Sequence, residues 1–315
     1  MQEIRIHPKG PHISRLVYGA WRMLDGGLTE QDIERNIQTC IDLGINWFDH
    51  ADIYGNYGCE EFFGTVYKKI KSKLPELHFV TKTDIMLFSD KYPSRKVKHY
   101  DSSPKHIEES VNNSLRNLGI EKIDILLLHR PDPLLNADET GVCLDQLIET
   151  GKVSYVGVSN FTPSQVSLLQ SRMKNPLITN QIEISLKKID PFINGDIDFL
   201  YQQKIRPMSW SPLGGGSLMR SVADLQKNAS SSEISKHEKA APSLSQIILD
   251  LTEKYHTTEN AIALAWLLRH PSGIIPVIGS NSAERIQQMA KSLDIILDRE
   301  DWFLLYQAAL GKEVP

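Results

Sequence analysis

Three cysteines are spread over 315 residues, at positions 40, 59 and 143. No CxxC pair and no even set can be drawn from them, which excludes a disulfide framework and favours a reducing compartment. Charge of one sign is lacking as well. Against 39 Asp and Glu stand 35 Lys and Arg, a net of −4, so the chain has no electrostatic footprint for nucleic acid. No apolar run approaches the roughly 20 residues that cross a bilayer, and the opening MQEIRIHPKG lacks the apolar stretch of a secretion signal. These absences lead us to expect a soluble cytoplasmic protein without a membrane or nucleic-acid partner. The sequence is compatible with a monomer and leaves oligomeric state open. Neither an internal repeat nor an interdomain linker interrupts it, so residues 1–315 are expected to form one domain.

What is present is a regular alternation. Apolar, β-branched runs occur at 15–21 (RLVYGAW), 45–51 (INWFDHA), 77–83 (LHFVTKT), 123–129 (IDILLLH), 153–160 (VSYVGVSN), 177–185 (LITNQIEIS), 205–210 (IRPMSW) and 274–280 (IIPVIGS). Amphipathic segments separate them. Thr29 and Ser103 suit helix N-caps, and Gly44 and Gly119 suit left-handed C-terminal positions. Strands joined by crossover helices pair in parallel, because tight turns cannot connect parallel neighbours. Eight of them in strict alternation predict a closed (β/α)8 TIM barrel of the α/β class. A doubly wound sheet is the competing arrangement, but no strand is followed by G-x-G-x-x-G, and LGGGSLM after residue 212 is too weak a substitute.

Segments outside the alternation have their own readings. Residues 4–14 (IRIHPKGPHIS) predict an N-terminal hairpin that plugs the bottom of the barrel. Residues 84–103 and 213–243 read as long loops, the kind that serve as lids when ordered. Two extra C-terminal helices are expected at SAERIQQMAKSL (282–293) and DREDWFLLYQAAL (298–310).

In such a barrel the active site lies at the C-terminal ends of the strands. The polar residues there are Asp49 with Tyr54 beyond it, Lys82, His129, Ser159, Asn160, Gln181, Glu183, Trp210, Ser211 and Ser280. A lysine after an apolar run requires a partner, since lysine is almost never fully buried alone. Asp49, Tyr54, Lys82 and His129, with tyrosine five residues after aspartate in DHADIYG, resemble the catalytic tetrad of the aldo-keto reductase superfamily. The likeness extends through GKVSYVGVSNF, NQIE, SWSPLGGG and IPVIGS…ERI, nearly the whole chain. HRPDP, NQIEIS and the tail ALGKEVP resemble its bacterial YdhF-like branch.

The resemblance implies an oxidoreductase that reduces an aldehyde or ketone to an alcohol with NADP(H), the substrate being a small-molecule carbonyl compound. Tyr54 would donate the proton, Lys82 would lower its pKa, Asp49 would hold the lysine charged, and His129 would orient the carbonyl. Ser159, Asn160 and Gln181 would hold the nicotinamide amide, and Trp210 takes the place of the stacking aromatic, more often tyrosine. Ser211, Leu213 and Gly214 would meet the pyrophosphate, and Gly19, Ala20 and Trp21 line the first strand exit. Ser280, Asn281, Arg285, Gln288 and Met289 fall in the region that grips the adenosine and its 2′-phosphate. Gly279 departs from the lysine often found there, so phosphate recognition would lean on Arg285.

Each residue also has a plainer reading. Lys82 alone could be a solvent-facing strand end, His129 a rim histidine, Trp210 plain core, and Ser159–Asn160 the cap of the helix at TPSQ. Only their joint placement on one rim favours chemistry. Two other functions compete: an NADPH-binding redox sensor with little turnover, and a metal-dependent hydrolase using Asp49, His50, Asp52 and His129. Strand alternation turns His50 away from Asp49, which counts against the metal. Asp52 is expected to belong to a turn and Glu60–Glu61 to a helix start. Trp21, Arg22, Arg130, Asp132 and the 84–103 segment are expected at the substrate end, the arginines hinting at a polar or anionic substrate.

Overall fold

All eight predicted strands form, each shorter than its apolar run. The computed structural model describes residues 2–229 and 243–315. A hairpin of β1 (Glu3–Arg5) and β2 (His12–Ser14) precedes β3 (Val17–Gly19), β4 (Trp47–Asp49) and β5 (His78–Thr83). The short strands β6 (Ile85–Met86) and β7 (His99–Tyr100) follow, then β8 (Ile123–Leu128), β9 (Val153–Ser159), β10 (Leu177–Glu183), β11 (Met208–Trp210) and β12 (Ile275–Ile278). Strands β3, β4, β5, β8, β9, β10, β11 and β12 pair in parallel in that cyclic order, and β12 closes on β3. This is the (β/α)8 barrel.

Two apolar layers hold it. Val17, Trp47, Val80, Ile125, Leu127, Ile178, Met208, Ile275 and Val277 fill the interior. Ile6 and Ile13 of the hairpin join that interior cluster, so the hairpin closes the barrel floor as its sequence suggested. Residues of opposite parity, such as Phe48, Phe79, Leu126 and Val158, face outward and pack under the helices. The inward parity decides the rest. Two residues past Trp47 stands Asp49, two past Val80 Lys82, two past Leu127 His129, two past Met208 Trp210. An interior that is apolar below therefore becomes polar at its C-terminal rim.

Thr29 caps helix Glu30–Asp42 in a capping box with Asp32, and Ser103 caps Pro104–Leu118. Gly44 and Gly119 take left-handed φ of 77° and 71°, as predicted. Helix Pro163–Gln170 is capped by Thr162, which frees Ser159 and Asn160 from that duty. The C-terminal helices run over Ala283–Ala290 and Arg299–Leu310.

The described parts of the two long segments hold regular elements. Within 84–103, β6 and β7 make an antiparallel ribbon. Within 213–243, Gly214–Gly216 form a 3-10 turn and Ser217–Ala229 a helix, while residues 230–242 lie outside the described residues. Glycine suggested a loop there, but the apolar periodicity of SLMRSVADL runs through it. Among the described residues, no helix is long and apolar enough to cross a membrane.

Candidate active site

The Lys82 ammonium is the centre of the rim. Its side chain is fully buried and donates to Asp49 Oδ2 at 2.7 Å, to the His50 carbonyl at 2.8 Å and to the Tyr54 hydroxyl at 3.1 Å. Burial pushes the Lys82 pKa down, yet the combined pull of Asp49 and Tyr54 carries it above its ordinary value. Asp49 is held from its other side, where Gln181 Nε2 donates to Oδ1 at 2.8 Å. Three strands, β4, β5 and β10, thus converge on one carboxylate.

Tyr54 reaches the lysine from a turn beyond β4, and its ring lies edge-on to His129 with centroids 5.9 Å apart. Burial outweighs the lysine here. Desolvation raises the Tyr54 pKa, Lys82 pulls it back, and Asp49 opposes Lys82, so the net direction is upward. The expectation that the lysine lowers this phenol is met in the sign of its own contribution but not in the balance. His129 is held well below the ordinary histidine range by burial and then by Lys82, Arg130 and Lys98, so its imidazole is neutral at pH 7. Its Nδ1 is buried without a partner, which leaves Nε2 to face the cavity that His129 lines.

His50 belongs elsewhere. Its ring packs on the outer face of β4 between Phe63 and Phe79, both ring nitrogens lack a partner, and burial with the Lys82 charge pushes it down to about 3. Among the described residues, no group of three His, Cys, Asp or Glu side chains stands close enough to hold a metal ion. Asp52 is more than a turn residue. Its Oδ2 accepts from Ser110 at 2.8 Å, its Oδ1 is buried unpaired, and desolvation raises it to about 8. Glu60 does start helix Cys59–Ile70, but its carboxyl is buried and accepts from Thr81 at 2.6 Å.

A cavity of about 1110 Å³ opens from this rim toward the ends of β11 and β12. Gly19, Trp21, Asp49, Tyr54, His129, Ser159, Asn160, Gln181, Trp210, Ser211, Leu213, Gly279, Ser280, Asn281, Arg285 and Met289 line it, sixteen residues singled out from sequence. Lys82 sits behind Asp49 and Tyr54 instead. Ala20 is buried without reaching the cavity, Gly214 lies just off it, and Gln288 turns its amide toward Glu284. Asp132 is not at the substrate end either; it accepts from Ser102 and Leu134 as a loop brace. Arg22 and Arg130 do line the cavity, as expected.

Local backbone strain marks the same end. Asp84, Asn160 and Ser211 are non-glycine residues with φ of 92°, 62° and 48°, each just past a barrel strand. Asn160 illustrates what compensates: its Oδ1 accepts from Trp210 Nε1 at 2.9 Å, and its Nδ2 donates to Ser159 Oγ at 2.8 Å. That network fixes the indole at the exit of β11.

The profile of the aldo/keto reductase family matches residues 15–309. The chain belongs to that family. Over its full length this reductase is 44% identical to the complete 6-dehydroglucose reductase of Agrobacterium fabrum, and 38% identical to the complete oxidoreductase YdhF of Escherichia coli. A solved aldo/keto reductase from Klebsiella pneumoniae, in complex with NADP and acetate, shares the fold with a TM-score of 0.73 at 22% identity. That alignment covers 96% of this chain and 94% of the other. A thermostable aldo-keto reductase solved with epalrestat gives a TM-score of 0.76 at 22% identity, over 98% and 100% of the two chains.

Several cavity residues of the reductase had not been named individually from sequence, although Lys98 belongs to the 84–103 segment expected at the substrate end. Lys98 comes from the segment before β7, and Met219, Arg220 and Ala223 come from the helix Ser217–Ala229. A helical pattern beginning at Ser217 is the signal that could have found the last three. For Lys98 the sequence placed only its segment, and the ribbon pairing of β6 with β7 brings it over the rim.

Proposed function

We propose that this reductase uses NADPH to reduce an aldehyde or ketone to an alcohol, with Tyr54 giving the proton to the carbonyl oxygen. One observation carries the reading: a buried ammonium, Lys82, bonded at once to Asp49 and to a tyrosine hydroxyl beside a neutral histidine. Bound NADPH would supply the hydride. The chain's own groups handle the oxygen. Tyr54 O–H transfers its proton as negative charge develops, the Lys82 ammonium stabilises the phenolate left behind, and His129 Nε2–H hydrogen-bonds the same oxygen. Asp49 keeps Lys82 charged and aimed.

The residues present fit the cofactor. Gln181 spends its amide N–H on Asp49 but retains Oε1 as an acceptor for a carboxamide. Trp210 offers a fixed aromatic face, Gly214–Gly216 all have positive φ and leave backbone room, and Arg220 and Arg285 bring cations to the far end. NADPH is favoured over NADH by those cations, which suit a 2′-phosphate.

Two relatives, 44% and 32% identical to the chain, carry the name 6-dehydroglucose reductase, which makes that sugar aldehyde the first substrate to test. The cavity supports a polar substrate. Lys98 and Arg130 both line it and act electrostatically on His129, and neither forms an ion pair among the described residues. Such free donors suit several hydroxyls or an anionic group. The same reading takes residues 1–315 as one cytoplasmic domain.

The decisive experiment follows NADPH absorbance with 6-dehydroglucose and a panel of charged and neutral aldehydes, with NADH in parallel. Tyr54→Phe is expected to abolish turnover while NADPH still binds. Full activity in Tyr54→Phe would sink the mechanism. Tight NADPH binding with no substrate turned over would point to a cofactor-sensing protein instead.

A further inference from the structure

Tyr54 is followed by three consecutive residues in left-handed conformation: Gly55 at φ 56°, Asn56 at 53° and Tyr57 at 65°. Glycine is required at the first, since a Cβ there would stand 2.6 Å from both Cys59 Sγ and Leu24 Cδ1. At Asn56 and Tyr57 a side chain makes that conformation unfavourable, and it persists only where surrounding contacts over-determine it. Those contacts come from one segment, residues 87–95. Ser89 Oγ donates to Asn56 Oδ1 at 2.6 Å. The Tyr57 hydroxyl accepts twice, from the Leu87 backbone N–H at 2.8 Å and from Arg95 Nη1 at 2.6 Å. Arg95 Nη1 also reaches the Leu87 carbonyl at 3.2 Å, and its guanidinium lies 3.8 Å above the Tyr92 ring. Tyr92 in turn packs edge-on against Tyr57 with centroids 4.9 Å apart.

We propose that Tyr57, Asn56, Ser89 and Arg95 form a clamp that positions Tyr54: the segment after β5 locks the strained turn after β4 and so sets the 3.1 Å approach of the Tyr54 hydroxyl to Lys82. The proposal rests on Tyr54 being the proton donor. Lys91 of the same segment adds a longer bond, Nζ to the Tyr57 carbonyl at 3.3 Å. The turn's own carbonyl bonds run inward, Tyr57 N–H to Ile53 and Gly58 N–H to Tyr54, and reset with the turn itself. Released, Asn56 and Tyr57 relax toward right-handed φ and swing the Tyr54 hydroxyl away from the ammonium. None of the four clamp residues lines the catalytic cavity, so they act through Tyr54 and not on the substrate.

Tyr57→Phe removes the acceptor of two bonds. It is expected to lower kcat about tenfold, since misplacement of a reacting group by a fraction of an ångström carries losses of that order. NADPH affinity should stay within about twofold, because the clamp adds nothing to ground-state binding of the cofactor. The limb of the pH profile that reports the Tyr54 phenol should move up by about half a pH unit, as distance from Lys82 weakens its pull. Ser89→Ala, which removes the bond to Asn56 Oδ1 and the one accepted from the Lys91 backbone N–H, should show the same changes at smaller size. Ser89→Ala combined with Asn56→Gly should recover in part, because glycine adopts left-handed φ without the penalty that asparagine carries. Unchanged kcat and unchanged pH profile in Tyr57→Phe or, should that variant not fold, in Ser89→Ala would overturn the clamp and leave a structural tether only. Tyr54→Phe runs alongside: activity there would overturn the proton-donor assignment, whereas an inactive Tyr54→Phe beside a fully active clamp variant would overturn the clamp alone.

Discussion

Replacing Lys82 with methionine tests whether the rim is built around an ion pair. Nζ and Oδ2 are 2.7 Å apart and both side chains are buried. At an effective dielectric of about 20, their attraction is about 332/(20 × 2.7), or roughly 6 kcal/mol. Withdrawing each charge from water costs several kcal/mol, so the intact pair contributes little net stability. Removing one partner is different. In Lys82→Met the Asp49 carboxylate keeps only the Gln181 bond, and the His50 carbonyl and Tyr54 hydroxyl lose their donor. Breaking a buried pair this way costs about 3–5 kcal/mol, which for a chain of this size lowers Tm by roughly 5–8 °C. Asp49→Asn leaves the lysine unpaired and should cost a similar amount. The double variant Asp49→Asn/Lys82→Met removes both charges and should regain about 2–3 kcal/mol relative to the sum of the singles. Chemical denaturation of the four proteins at pH 7 measures that coupling. Additivity within about 0.5 kcal/mol would refute the argument, because it would mean that neither charge depends on the other.

Three further outcomes follow from buried groups elsewhere. Gly64→Ala places a Cβ against the Asn117 carbonyl oxygen and 2.8 Å from Leu118 Cα, forcing helices Cys59–Ile70 and Pro104–Leu118 apart; thermal melts should show a loss of about 2–3 kcal/mol. Asp52, raised by burial to about 8, holds its proton in the folded chain across a range where the unfolded chain has released it. Stability is therefore highest below the ordinary carboxyl pKa and falls as pH climbs toward 8, and Asp52→Asn should flatten Tm against pH between 5 and 8. His78 is raised chiefly by its hydrogen bond to Asp124, against the effect of burial. That contribution is full below the ordinary histidine value and is lost as pH rises through the elevated one, so Asp124→Asn should destabilise the protein more at pH 5.5 than at pH 9.

Strand identity was legible because a barrel strand is buried on both faces and reads as an unbroken apolar run. The rim was legible for a related reason: once Trp47, Val80, Leu127 and Met208 are taken as inward, parity carries Asp49, Lys82, His129 and Trp210 inward with them. Parity also sends His50 outward, where it is found between Phe63 and Phe79. What could not be read depended on contacts between segments distant in sequence. The Lys98 position follows from a two-residue ribbon too short to leave a pattern. Glu60 looked like an acidic helix start, and only the approach of Thr81 from β5 makes it a buried acceptor. The phenol of Tyr54 is governed by how deeply it is covered, a quantity that spacing does not encode.

The carboxyls around the rim divide into two kinds, and the division bears on the chemistry. Asp52, Glu60 and Asp84 are all raised by desolvation, Asp84 well above the carboxylate range despite two bonds from the Arg130 backbone N–H. Burial thus disfavours negative charge behind the site, where Asp52 further disfavours the ionisation of Asp84. Asp49 alone is matched to a buried cation. Burial first, and then Lys82 with Arg130 and Lys98, keep His129 neutral, and the last two cations line the cavity without an ion pair among the described residues. A neutral histidine donates one hydrogen bond without competing for the proton that the proposed mechanism assigns to Tyr54. An excess of positive potential at the same point lowers the energy of an oxygen that becomes negative during reduction. Making Asp84 a permanent neutral amide should therefore leave the site's electrostatics nearly unchanged, whereas Lys98→Glu would oppose the developing charge and let His129 protonate at higher pH.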